Sequence, residues 1–537
     1  MNLKYSFPSR RSAVMSNRGI VATSQPLAAQ AGMSMLCQGG NAVDAAIATA
    51  AALNVVEPMM TGLGGDAFAL VYLSGSDQLK ALNASGRAPY ATSLDTLRNF
   101  GYQEMPSTGI HTVTIPGTLD GWCSLLDNYG TMSLSQVLVP AIELAEHGFP
   151  VTEIIAHTWK MYSAKLQLTA SATRTYLSAG KAPEPGAVIV QPDLARTFKK
   201  IAEGGRDVFY RGEIAEAIVA CSQENGGVIT MKDLNDHTST WLTPISTNYR
   251  GYDVYECPPN SQGLLVLLAL NILEGYDLQA LGHNSAEYLH LLIETVKLAF
   301  ADASRYVADP DFADLPLEKL LSKSYAEQKR SLINRNKAGQ AMEASILDTE
   351  GDTVYLAVTD KDGNSVSFIN SLYEAFGSGI VVGDTGICLQ NRGSLFAFEA
   401  GHPNCIEPHK RPYHTIIPAM VFRDGHLFLT FGVMGGFMQP QGHIQVLLNI
   451  IDFGMDVQTA LDAPRFRYIR GNKCAYEPTI PTHVLQELAD KGHNVIELDD
   501  PYSQEFGGGQ AIMVHPTTKA LIAGSDPRKD GCAIGSW

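Results

Sequence analysis

A tightly layered core of helices packed on β-sheet is the fold class that the sequence predicts. Three observations predict it: two consecutive alanine-rich helical patterns near the start, a β-hairpin pattern that opens at Thr353, and a second hairpin pattern that runs into a Gly-Gly bend and a helix. Length alone, 537 residues, would suggest roughly three or four domains. The continuity of the layered pattern argues for one compact unit.

The helical patterns are SQPLAAQAGMSMLCQ and NAVDAAIATAAALNVV, between Ser24 and Val56. Gly39-Gly40 stops the first and Asn41 caps the second. Alanine presents little bulk, so such helices can lie close against a sheet or each other. Further helical patterns cover Leu134 to His147, Ala286 to Arg305 and Gln441 to Asp452.

From Gln340 to Asp352 periodicity is weak and the second half is acidic, which is linker-like composition inside the chain. TVYLAVT, DKDGN and SVSFINSLY then form the first hairpin, with Thr353 as its first strand residue; IIPAMVF, RDGH and LFLTFGV form the second. Centring the first turn on Asp362 sets Ser371 opposite Thr353, within hydrogen-bond range on one face. The plainer reading of that pair is two surface hydroxyls.

A threonine exposed at a new N-terminus carries its own amine, which can take up the hydroxyl proton. Cleavage between Asp352 and Thr353 would therefore create a nucleophile. Gly435 and Gly436, in the bend after the second hairpin, would offer backbone amides to a developing oxyanion; the plainer reading is a tight turn.

Composition narrows the function classes. Apolar residues make up 45% of the chain, with 49 Gly and 27 Pro, as in a folded protein rich in turns. A net charge of −16 with scattered Lys and Arg excludes a phosphate-neutralising stripe, so no nucleic-acid partner is expected. The longest apolar runs are too short to span a bilayer, which excludes a membrane-spanning role. Eight widely spaced cysteines without metal-ligand spacing suit reduced thiols in a cytoplasmic protein, and Asn17 and Arg18 interrupt any apolar signal core after Arg10-Arg11. There is no Gly-x-Ser-x-Gly, Walker or His-Glu-x-x-His motif. No metal or organic cofactor is expected, since nucleophile, base and oxyanion donors would all come from the chain.

The stretches GGNAVDAAIATAAALNVVEPMMTGLGGDAF, IPGTLDGW, GDTVYLAVTDKDGNSVSFINSLYEAFGSGIV and GSDPRKDG resemble the gamma-glutamyltransferase family, and the similarity covers nearly the whole chain. The resemblance implies an α+β fold, a four-layer αββα sandwich of the N-terminal-nucleophile hydrolase type. It implies a precursor cut into a large subunit, residues 1–352, and a small subunit, residues 353–537, which stay together. The family's nucleophile falls on Thr353, its supporting hydroxyl on Ser371 and its oxyanion glycines on Gly435 and Gly436.

The substrate-binding positions depart from the family pattern. The arginine that grips the α-carboxylate aligns with Ser85, while Arg87 stands two positions later as either a substitute or a surface residue. An asparagine becomes Tyr373, a glutamine and an acidic residue become Arg392 and Leu395, and paired serines become His414 and Thr415. Arg392 and Leu395 favour a substrate with an anionic group and no ammonium. This pattern resembles the cytoplasmic branch that includes oxamate amidohydrolases and is related to some cephalosporin acylases.

The expected activity is hydrolysis or transfer of a gamma-glutamyl or similar small carboxylate-bearing amide through an acyl-threonine, with glutathione as the family-level substrate. Conversion of oxamate to oxalate and ammonia, or a cephalosporin-acylase-like amidase activity, is the competing expectation. An unprocessed, non-catalytic homologue is the reading from a different class. The expected partners are the small-molecule amide and the two subunits of one precursor, with a homodimer of processed heterodimers left open.

Overall fold

The computed structural model describes residues 11–339, 351–498 and 504–537, so the linker-like stretch from Gln340 lies outside the described residues apart from Gly351 and the backbone of Asp352. Fourteen strands build the two large sheets: β1 Val14–Ser16, β2 Gly19–Thr23, β3 Asp66–Leu73, β4 Gln78–Ala84, β5 Thr240–Leu242, β6 Ile245–Tyr249, β7 Tyr252–Glu256, β8 Asp352–Asp360, β9 Ser365–Tyr373, β10 Ala419–Arg423, β11 His426–Val433, β12 Gly509–Val514, β13 Leu521–Ser525 and β14 Cys532–Gly535. One sheet runs β14-β2-β8-β9-β3-β4-β5 and the other β1-β13-β12-β11-β10-β7-β6.

Both predicted hairpins form. In the first, register follows the Asp362-centred expectation from Val354↔Asn370 to Thr359↔Ser365, then shifts at its open end, where Asp352 faces Tyr373. The turn is held by Asp360, whose carboxylate accepts from the Asp362 and Asn364 amides and from Ala42 N at 3.0 Å. That last bond ties the hairpin to the start of a helix.

The helices that position the site are α1 Pro26–Cys37, α2 Ala42–Val56, α3 Gly263–Leu273, α4 Ala286–Tyr306 and α5 Met438–Ile451. Asn41 caps α2 in a reciprocal box with Asp44, and every residue of α2 is buried. Its contact with α1 is close enough that a Cβ on Gly32 would collide with Thr49 and the Ala45 carbonyl. Small residues are thus what this layer requires. The pattern over Leu134 to His147 divides into Leu134–Val137 and Val139–His147, because Pro140 has no amide to donate and starts a second helix.

Alternation along β8 sorts the layers. Val354, Leu356 and Val358 pack with α1 and α2 outside the first sheet, whereas Tyr355 and Ala357 pack between the sheets with Phe68, Ile369, Met420 and Ile512. Leu429, Phe431 and Val433 of β11 pack outward against α3, α4 and α5. The order is helix, sheet, sheet, helix, the four-layer αββα arrangement. Among the described residues no helix is long and apolar enough to cross a membrane, and all eight cysteines are free thiols, with Cys37 exposed, Cys532 half-buried and the other six buried.

Candidate active site

Thr353 shares its strand face with Tyr355, so its side chain enters the space between the sheets, and it is 1% exposed. Its hydroxyl donates to Ser371 Oγ at 3.2 Å. Ser371 in turn faces Asp66 of β3 across the next strand pair. Three adjacent strands therefore bring Thr353, Ser371 and Asp66 into one row.

Gly435 and Gly436 follow β11 with φ of +113° and +57°, the left-handed region that favours glycine. The Gly435 carbonyl accepts from Met438 N at 2.9 Å, and the Gly436 carbonyl from Gln439 N at 3.2 Å and Gln262 Nε2 at 3.0 Å. A trans peptide sets its C=O and N–H on opposite sides, so the Gly436 N–H points away from α5. Among the described residues neither glycine amide has an acceptor. Gly351 lies directly against this bend: a Cβ on Gly436 would stand 2.8 Å from the Gly351 Cα. The intact chain thus passes over the free amides one residue before the strand that carries Thr353.

Arg392 sits on a short 3-10 turn, Arg392–Leu395, and is fully buried. Its Nη2 donates to Ser371 Oγ at 3.0 Å and its Nη1 to Thr415 Oγ1 at 2.7 Å. The guanidinium lies over the Tyr373 ring, 4.6 Å from its centroid. Its Nε has no acceptor, and among the described residues no carboxylate lies within ion-pair distance of it. Burial pulls its pKa down to about 10 against the opposing pull of Asp66, which leaves it charged at neutral pH. A buried cation with no counter-ion in contact is costly unless an anion arrives. Tyr373 holds φ of +80°, a strained value for a bulky residue, and its amide donates to Ser371 Oγ at 2.8 Å.

His414 Nδ1 accepts from Ile416 N at 3.4 Å, which leaves the proton on Nε2 to donate to Asp66 Oδ2 at 3.2 Å. Burial, then the charges of Arg392 and Arg411, push the His414 pKa well down, so the ring is a neutral donor. Asp66 Oδ1 accepts from Gly86 N at 2.9 Å. Burial pushes the Asp66 carboxyl up to about 7, opposed by Arg392, the Gly86 and Gly117 amides and Arg411.

Of the residues singled out in the sequence, Thr353, Ser371, Tyr373, Arg392 and Thr415 form one connected hydrogen-bonded and stacked cluster, with Gly435 and Gly436 beside it and His414 joined through Asp66. Arg87 stands apart: half-buried, it donates to the Thr238 carbonyl at 3.4 Å. The buried Arg411 bonds the same carbonyl and the Ser85 carbonyl instead. Asp66 and Gln439 escaped sequence reasoning. Asp66 lies in the first stretch that carries the family resemblance, where nothing local marks it, and Gln439, whose Nε2 donates to Thr353 Oγ1 at 3.4 Å, stands two residues before the helical pattern expected from Gln441.

One metal-capable cluster occurs among the described residues, His290, Glu294 and His493 on the outer helical layer. His290 Nδ1 lies 2.8 Å from His493 Nε2, and the Lys297 ammonium is 2.7 Å from Glu294 Oε1. The lysine already supplies the positive charge that the carboxylate needs.

The gamma-glutamyltranspeptidase family profile matches residues 28–536. This chain belongs to the gamma-glutamyltranspeptidase family. It is accordingly an autoprocessed amidohydrolase of the N-terminal-nucleophile type. A glutathione hydrolase-like YwrD proenzyme of Bacillus subtilis is 42% identical over 97% of this chain and 99% of its own length. An oxamate amidohydrolase proenzyme of Klebsiella pneumoniae is 34% identical over 98% of this chain and 99% of its own. The crystal structure of a cephalosporin acylase from Bacillus halodurans superposes with a TM-score of 0.94 at 44% identity, covering 99% of this chain and 98% of that one.

Proposed function

We propose that Thr353 is the nucleophile that autocleavage after Asp352 exposes, and that the mature enzyme, residues 1–352 with 353–537, hydrolyses a small amide whose carboxylate lies close to the scissile carbonyl. The observation that carries this reading is the buried Arg392 guanidinium, without a carboxylate in contact, bonded to the same Ser371 hydroxyl as Thr353.

In the mature enzyme the Thr353 amine takes the hydroxyl proton as Oγ1 attacks the carbonyl carbon. The Gly435 and Gly436 amides receive the oxyanion. The C–N bond breaks, the leaving amine takes the proton, and water then releases the acid from the acyl-threonine. Arg392, with Thr415, holds the substrate carboxylate, and a guanidinium so near the nucleophile suits a carboxylate adjacent to the carbonyl, as in oxamate. The α-carboxylate of a gamma-glutamyl group stands at the far end of its chain, and its ammonium would meet Arg392 rather than an acid. Gamma-glutamyl hydrolysis is the second reading, supported by the similarity to the glutathione hydrolase-like proenzyme.

Side-by-side assays of oxamate and gamma-glutamyl-p-nitroanilide on the processed protein separate them. Faster turnover of oxamate is expected. Efficient release of p-nitroaniline with no ammonia from oxamate would reject the short-substrate reading.

A further inference from the structure

Helix α5 carries Gln439, Gln441 and Gln445, all buried. Gln441 and Gln445 direct their amides to main-chain carbonyls, Phe437 and Tyr468 for the first, Gln441 and Phe466 for the second. Gln439 does not. Its Oε1 accepts from Ile417 N at 3.1 Å, while its Nε2 donates to Thr353 Oγ1 at 3.4 Å. Among the described residues the second hydrogen of that amide has no acceptor. A buried amide that leaves a donor unpaired beside a hydroxyl is costly unless the donor is used at some stage of a reaction.

The main chain of the same residue closes the oxyanion bend, because Gln439 N donates to the Gly436 carbonyl. Thr353 belongs to the first sheet and the Gly435-Gly436 bend to the end of the second. Gln439 spans the two, with its backbone fixing the glycine pair and its side chain fixing the hydroxyl.

We infer that Gln439 is a further catalytic residue, which sets the distance between the Thr353 oxygen and the Gly435-Gly436 amides and donates to that oxygen as charge develops on it. The inference rests on Thr353 as nucleophile. In autocleavage Oγ1 bonds to the Asp352 carbonyl carbon, the C–N bond to Thr353 breaks, and the hydroxyl proton ends on the Thr353 nitrogen. Water then hydrolyses the ester. In turnover the same oxygen attacks the substrate carbonyl. Both steps pass through an oxygen losing its proton, where a neutral amide donor lowers the energy without quenching the nucleophile as a cation would.

The test uses the full chain with Gln439→Met, Gln439→Glu and Thr353→Ala. Processing is followed on denaturing gels, and kcat and KM are measured on whichever amide the wild type turns over. Gln439→Met should slow both processing and kcat by about 10- to 100-fold, the cost of a mispositioned reacting group, while KM stays nearly unchanged. In Gln439→Glu the protonated carboxyl can replace both amide functions, accepting from Ile417 and donating to Thr353. Its kcat relative to wild type should therefore climb as pH falls, a recovery that a packing defect would not produce. Wild-type processing and kcat in both Gln439 variants, or losses in Gln439→Glu that ignore pH, would overturn the inference. Failure of the underlying reading looks different: Thr353→Ala would then still process and turn over.

Discussion

The hydroxyls of Thr353 and Ser371 lie 3.2 Å apart, on neighbouring strands of one sheet and on the face that looks toward the other sheet. Ser371 also accepts from the Tyr373 amide and the Arg392 guanidinium, so its oxygen is locked and polarised. A hydroxyl held in this way fixes the rotamer of its neighbour. Ser371→Ala should slow processing and turnover by about 10- to 100-fold, whereas Ser371→Thr, which keeps the hydroxyl, should retain most of both. Gel time courses and kcat measurements check this; equal losses in the two variants would point to packing instead.

Arg392 should govern binding more than chemistry. Losing a charge-assisted pair costs about 1.5–3 kcal/mol, so Arg392→Met should raise KM for a carboxylate-bearing amide by about 10- to 100-fold. Arg392→Lys should recover only part of this, because an ammonium cannot bond Ser371, Thr415 and a carboxylate in one plane. Steady-state kinetics with an anionic amide and its neutral ester decide the matter; KM for the ester should be indifferent to the substitution, while loss of the bond to Ser371 should lower kcat for both substrates alike.

Asp66 should make binding pH-dependent. Its carboxyl is pushed up to about 7 by burial, so it is neutral below that pH and anionic above it, where it opposes an anion at Arg392. KM for an anionic amide should therefore rise as pH climbs through neutrality, and Asp66→Asn should flatten the profile. A wild-type KM that is constant across neutrality, or a slope that survives in Asp66→Asn, would contradict it.

Gly436 has φ of +57° and lies so close to Gly351 that any Cβ must displace the segment before Thr353. Gly436→Ala should cut processing by about 100- to 1000-fold, the range for losing an oxyanion donor, with the protein still folded by circular dichroism. Normal processing would show that the bend is only a turn.

Much of the row at the site's base was legible because it is local. The DKDGN turn sets the register of a hairpin whose strands are consecutive, which places Ser371 opposite Thr353 without long-range information. The Gly435-Gly436 bend was legible for the same reason, as a strand running into glycines and a helix. The shift at Asp352 was not, because a bulge at an open hairpin end leaves no periodicity to read. Asp66 reaches the row only through the pairing of β3 with β9, and Gln439 only through the stacking of one sheet on the other. Neither contact follows from spacing along the chain. Arg87, chosen for its charge near the expected arginine position, bonds Thr238, while the buried guanidinium next to Ser371 belongs to Arg392, over 300 residues later in the sequence. The break at Leu138 was readable from Pro140 and shows that helical spacing of apolar residues outweighs a proline too easily.

The most direct test of the central claim is N-terminal sequencing of the fragments that appear when the purified full-length chain is incubated, alongside Thr353→Ala. Two fragments are expected, the smaller beginning at Thr353, with Thr353→Ala remaining one full-length band without amidase activity. An uncleaved wild-type chain that is nonetheless active, or a smaller fragment that begins at another residue, would contradict it.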